Sequence, residues 1–135
     1  MSEPLLKAII QLFAIVAKED DVTQQERDQI EAFLLENLNR NAADKYLKDF
    51  DEYSDSIIIT EDIDIEEEHK RIEKICGKIN QELTQKQKVV IILELMTIIL
   101  ADGHISDREK ELVYAIGNAF NIEDKEIDLI NTFVV

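Results

Sequence analysis

One acidic loop-and-cap pattern occurs twice in this chain, and it restricts the possible folds more than any other feature. Near the front the sequence reads Ala17-Lys18-Glu19-Asp20-Asp21-Val22-Thr23-Gln24-Gln25-Glu26, and near the back Leu100-Ala101-Asp102-Gly103-His104-Ile105-Ser106-Asp107-Arg108-Glu109. At a constant offset of 83 (106 − 23), Val22 aligns with Ile105, Thr23 with Ser106 and Glu26 with Glu109. Each copy closes an apolar helix, turns through acids around one aliphatic residue and opens another helix. Thr23-x-x-Glu26 and Ser106-x-x-Glu109 are capping boxes, in which the hydroxyl accepts a free N–H and the glutamate reaches back to the cap. Two such helix-loop-helix units predict an all-α body with a pseudo-twofold relation between its halves.

Composition agrees. Only three Gly and one Pro are present in 135 residues, too few for a turn-rich β fold, and the length suits one domain. Ser2 caps a first helix with Glu3 and Pro4 in its opening turn and a stripe of Leu6, Ile9, Ile10, Phe13, Val16 and Ala17. A second helix runs to about Asn39 with Ile30, Phe33, Leu34 and Leu38 inward, and Asn41 caps a short third helix carrying Tyr46, Leu47 and Phe50. Between Asp49 and Glu68 stand ten acids and no Lys or Arg. The β-branched run Ser56-Ile57-Ile58-Ile59-Thr60 inside it disfavours helix, so an extended acidic crossover over about 51–64, with its isoleucines docked on the core, is expected.

The back half starts near Ile65. A fourth helix presents Ile72, Ile75, Cys76 and Ile79 on one face. Thr84-x-x-Gln87 opens a fifth helix, apolar on most of its circumference and therefore expected at the centre of a bundle. Glu94, Thr97 and Ala101 form a narrow stripe on it that reaches solvent. Gly103 supplies a left-handed residue beyond its end. A sixth helix buries Leu112, Val113, Ile116, Ala119 and Phe120, and Asn121 or Glu123 starts a short seventh with Ile127, Ile130 and Phe133. The seven helices divide into a front repeat (about 2–50), the crossover, and a back repeat (about 65–135). The apolar end Phe133-Val134-Val135 fits a domain excised from a longer protein as well as a natural terminus.

Charge narrows the function. Thirty acids against 15 bases give −15, a surface that repels nucleic-acid phosphates and anionic lipid and suits metal cations or a basic protein patch. Cys76 is the only cysteine, so no intrachain disulfide or cysteine-based zinc site forms, which fits a reducing cytoplasmic home. Val89 to Ala101 is interrupted by Glu94 and falls short of the ~20 apolar residues that span a bilayer. No glycine-rich phosphate loop, G-x-S-x-G or zinc-helix motif occurs, so no enzyme is expected.

The corner acids carry two readings. Asp102-Gly103-x-Ile105-Ser106-x-x-Glu109 has the look of the second half of an EF-hand loop, but the earlier ligand positions hold Ile98 and Leu100 (Ile15 and Ala17 in front), which cannot bind calcium. If the twofold brings the loops together, a shared hard-cation site for Ca2+ or a similar divalent ion would draw on Glu19, Asp20, Asp21, Glu26, Asp102 and Glu109, with His104 beside Asp102. The other reading makes Glu26 and Glu109 capping partners and the loop acids solvated charges, with Asp20, Asp21, Asp102 and Asp107 available to dock a basic partner.

Ala101-Asp102-Gly103-x-Ile105-Ser106-x-x-Glu109, with Leu83-Thr84-x-x-Gln87 before it and Ile116 to Ile122 after, resembles the TerB-like helical domains associated with tellurite resistance. The front copy departs from the pattern, with Glu19-Asp20 where the family tends to have Asp-Gly. The resemblance implies a roughly seven-helix pseudo-twofold fold whose corner acids form a metal-binding or docking surface. Carried over by position, it nominates Asp102 and Glu109, and less directly Glu19 and Glu26. It also implies a module of bacterial stress-response, chaperone or transport proteins.

Overall fold

In the computed structural model, residues 2–18, 22–57, 65–101, 103 and 105–134 are described, without the side chains of Ile65 and Val134. They form seven helices and no strand: α1 (Glu3–Ala17), α2 (Gln24–Asn37), α3 (Arg40–Ser56), α4 (Ile65–Glu82), α5 (Gln85–Ile99), α6 (Asp107–Ala119) and α7 (Asp124–Val134). The helix starts follow from side chains that satisfy the free N–H groups of a first turn. Ser2, Thr23, Asn39, Thr84 and Ser106 each accept a backbone N–H at their helix, and the last two and Thr23 complete capping boxes. α1 and α5, α2 and α6, and α3 and α7 start within one residue of the 83-residue offset.

Three expectations need correction. α2 stops at Asn37, and Asn39 rather than Asn41 caps α3, its Oδ1 accepting from the Ala42 N–H at 2.9 Å. α3 is long: it runs through Asp51–Ser56, so that stretch is helix and not extended crossover. Burial explains this, since Ala43, Tyr46, Leu47, Phe50 and Ser54 recur at helical spacing on its inner face and outweigh the local charge. Ile57 packs on the core as expected, while Ile58, Ile59 and Thr60 lie outside the described residues. Asn121 ends α6 instead of starting α7. It stands at φ 63, with its N–H on the Asn118 carbonyl and the Ile122 N–H on that of Gly117, the paired bonds of a left-handed helix stop.

The core is continuous across the helices. α1 packs against α3, α4, α5 and α6, and α5 against α1, α2, α6 and α7. Thus α5 is central, as expected, but α1 shares that place. Eleven of its 15 residues are buried, far more than the predicted stripe. Phe13 meets Phe33 of α2 edge to face at 5.2 Å. α4 and α6 run in the same direction, since Arg108 bonds Glu68 at one end and Asn80 donates to the Ala119 carbonyl at the other. No helix among the described residues is long and apolar enough to cross a membrane.

Candidate functional site: the two acidic corners

Each corner is built from a helix end, a loop and a capping box. In front, Thr23 Oγ1 accepts from the Glu26 N–H at 3.1 Å, and the Thr23 N–H donates to Glu26 Oε1 at 2.9 Å. At the back, Ser106 Oγ accepts from the Glu109 N–H at 3.0 Å, and the Ser106 N–H donates to Glu109 Oε1 at 2.9 Å. Both glutamates are only 2% exposed. A buried carboxylate is costly unless hydrogen-bonded, and the cap N–H meets part of that need. Val22 and Ile105, the loop aliphatics, both pack against the core. Gly103 adopts φ 80, the left-handed geometry expected of it.

Glu19, Asp20, Asp21, Asp102 and His104 lie outside the described residues. Asp107 is exposed in the first turn of α6, where a carboxylate favours the helix dipole. Glu26 and Glu109 therefore stand where the sequence placed them. Among the described residues, no three His, Cys, Asp or Glu side chains are grouped to hold a metal ion.

The surroundings of the corners differ. In front, Arg27 grips Asp51 of α3 with two bonds, Nε at 3.1 Å and Nη2 at 2.9 Å. That hydrogen-bonded pairing raises the Arg27 pKa further. At the back, Arg108 pairs with Glu68 of α4 and Glu111, and Tyr114 bonds Asp128 of α7. The Asp128 bond, with burial behind it, pushes the Tyr114 phenol up to about 12. Arg108 brings the acid-rich first turns of α4 and α6 together, so Glu66, Glu67, Asp107 and Glu111 are exposed at one end of the molecule. Beside them, a groove of about 660 Å³ between α4 and α6 is lined by His69, Lys110, Tyr114 and Asn118.

Elsewhere, burial pushes the Cys76 thiol up to about 12 and Glu73 adds to it, so the thiol stays protonated and unreactive, as its apolar neighbours predicted. Glu94 is half-buried, with Thr97 and Ala101, so its stripe reaches solvent only in part. Burial, then the charge of Glu36, raises its pKa. One buried charge was missed: Lys88, 6% exposed, donates to Asn80 Oδ1 at 3.0 Å near the end of α6. Its place in an apolar helix, between Gln87 and Val89, was the available signal.

The all-helical fold agrees with one comparison. The model of the family described as tellurite resistance protein TerB matches residues 6–132. No curated protein and no solved structure matches the chain. With nearly its whole length covered and an all-helical fold, this chain belongs to the TerB family, a family of helical domains associated with tellurite resistance.

Proposed function

We propose that the chain is a non-catalytic, cytoplasmic interaction module that docks a basic partner through its acidic corners, the two halves standing in a pseudo-twofold relation. The observation that carries this reading is the acidic end built by the first turns of α4 and α6 around the Arg108–Glu68 pair, in a chain of net charge −15. Complementary charge of this kind steers a basic partner and fixes its orientation. Asp20, Asp21, Asp102 and Asp107 are the docking acids. Changing all four to Asn should weaken capture of a Lys/Arg-rich peptide by roughly tenfold at low salt, taking about 0.3–0.5 kcal/mol per charge. The melting temperature should hold. Unchanged capture would overturn the reading.

A second reading is favoured by the matching burial of Glu26 and Glu109: the corners bind a divalent cation such as Ca2+, as a sensor, with Asp102, Glu109, Glu19 and Glu26 as ligands. Carboxylate oxygens suit a hard cation. Each cap engages Oε1 of its glutamate, so a cation would compete with or add to that bond. Metal-stripped protein should then melt higher with one of calcium, magnesium, manganese or zinc at constant ionic strength, because a ligand of the folded state stabilises it. A shift equal to that of sodium chloride removes this reading.

A further inference from the structure

Among the described residues, the large exposed hydrophobics are Val90 and Leu93 of α5 and Leu129 and Phe133 of α7, exposed by 51, 38, 62 and 87%. α5 and α7 pack side by side and run the same way: a side chain at Gly117 would meet Ile127 at 2.4 Å and Ile92 at 3.8 Å, while Met96, Ile99 and Asn131 line one small cavity further along. At 3.6 residues per turn, Val90, Leu93 and Thr97 share the arc of α5 between the α7 contact and Glu94, which faces Glu36 of α2. On α7, the Tyr114–Asp128 bond fixes the flank toward α6, and Leu129 and Phe133 fall on the flank away from it. The four side chains thus border one slot over α5, between α2 and α7.

The charges around the slot identify its occupant. Glu94 and Glu36 edge one flank as a like-charge pair, and Glu94 has no cation beside it in any ion pair of the described residues. The slot runs along α5 toward the acidic back corner. At its opposite end Lys86 and Lys125 stand one turn before Val90 and Leu129. A second copy would bring −15 against −15. We infer that this slot receives an amphipathic helix of a partner protein, its apolar stripe on Val90, Leu93, Leu129 and Phe133 and its Lys or Arg residues against Glu36 and Glu94. The proposal rests on the basic-partner reading for the charge of the partner, and on the exposed apolar side chains for its place. Helices recognised in this way present anchors at i, i+3, i+4 and i+7.

The test uses a designed helical peptide of about 16 residues, long enough for two such repeats, with a Leu stripe flanked by Arg and one Trp as reporter. The protein has no Trp, so the peptide signal is unobscured. The triple substitution Leu93→Gln, Leu129→Gln and Phe133→Gln should lower affinity at least tenfold without lowering the melting temperature, because these side chains are already exposed. A scrambled peptide of the same composition should bind as weakly. Equal binding by the triple variant, or by the scrambled peptide, would overturn the proposal. So would a dimer in sedimentation velocity that the triple variant dissolves, since a second copy would then cover the slot. The Asp102→Asn, Asp107→Asn variant separates the two readings. Loss there with none in the triple variant keeps the corner reading and overturns the slot, and the reverse keeps the slot and overturns the corner reading.

Discussion

The front three helices and the back three share an order and an offset, yet they dispose of their apolar surface differently. α1 is enclosed by α3, α4, α5 and α6, and none of the large exposed hydrophobics among the described residues lies on α1, α2 or α3. Their equivalents α5 and α7 leave Val90, Leu93, Leu129 and Phe133 in solvent. The difference has a structural source. α4, which follows α3, covers α1 and α6, and no eighth helix stands in the corresponding place over α5 among the described residues. Similar helices can therefore serve an interior on one side and an open face on the other, depending on what packs against them.

The largest expected effect tests the enclosure of α1. Phe13→Ala should cost about 3–5 kcal/mol in denaturant unfolding, the usual loss for a fully buried aromatic, whereas Val90→Ala on α5 should stay within about 0.5 kcal/mol. Comparable losses would erase the contrast. Next come the two corners, where the halves are built alike. Thr23→Ala and Ser106→Ala should each cost about 1 kcal/mol and match one another within error, as equivalent caps. A large inequality would show that the loops support them differently.

Smaller effects probe the ties that distinguish the halves. Asp128→Asn should return the Tyr114 phenol from about 12 toward its ordinary value of 10, read by ultraviolet titration. The raised folded value means that the tie contributes stability below about pH 10, lost as pH rises toward the folded value, because the unfolded chain ionises first. An unmoved titration would show that Asp128 is not the cause. Smallest is the slot edge. Glu36→Gln should lower the Glu94 pKa measured by NMR, without restoring it fully, since burial is the larger cause. Because its folded value is raised, Glu94 favours the fold below the unfolded carboxyl range, and that contribution fades as pH rises through the folded value. A Glu94 titration unchanged in the variant would remove Glu36 from the slot edge.

Much of the fold was legible. Capping residues and apolar spacing located α1, α5 and α6 closely, because a cap acts through bonds made within one turn of its own helix. The same local bonds made Glu26 and Glu109 readable as capping-box partners. α3 was misread past Phe50 because its charge suggested a linker, while the burial of Phe50 and Ser54 depends on helices distant in sequence. Lys88 was missed for a similar reason, its Asn80 partner lying on another helix and the Ala119 carbonyl beyond that. Phe133 shows the opposite failure: helical spacing grouped it with Ile127 and Ile130, but it is exposed.

By itself, the sequence determined the helices, their caps, the acidity of the surface and the family pattern. All of these arise from neighbours a few residues apart or from composition. Tertiary structure alone decided that α1 would be enclosed and α5 left open on one face, that Arg108 would join the first turns of α4 and α6, and that four apolar side chains of α5 and α7 would stay exposed. Those outcomes depend on which helix faces pack against one another, and local spacing gives a helix an apolar face without saying what will cover it.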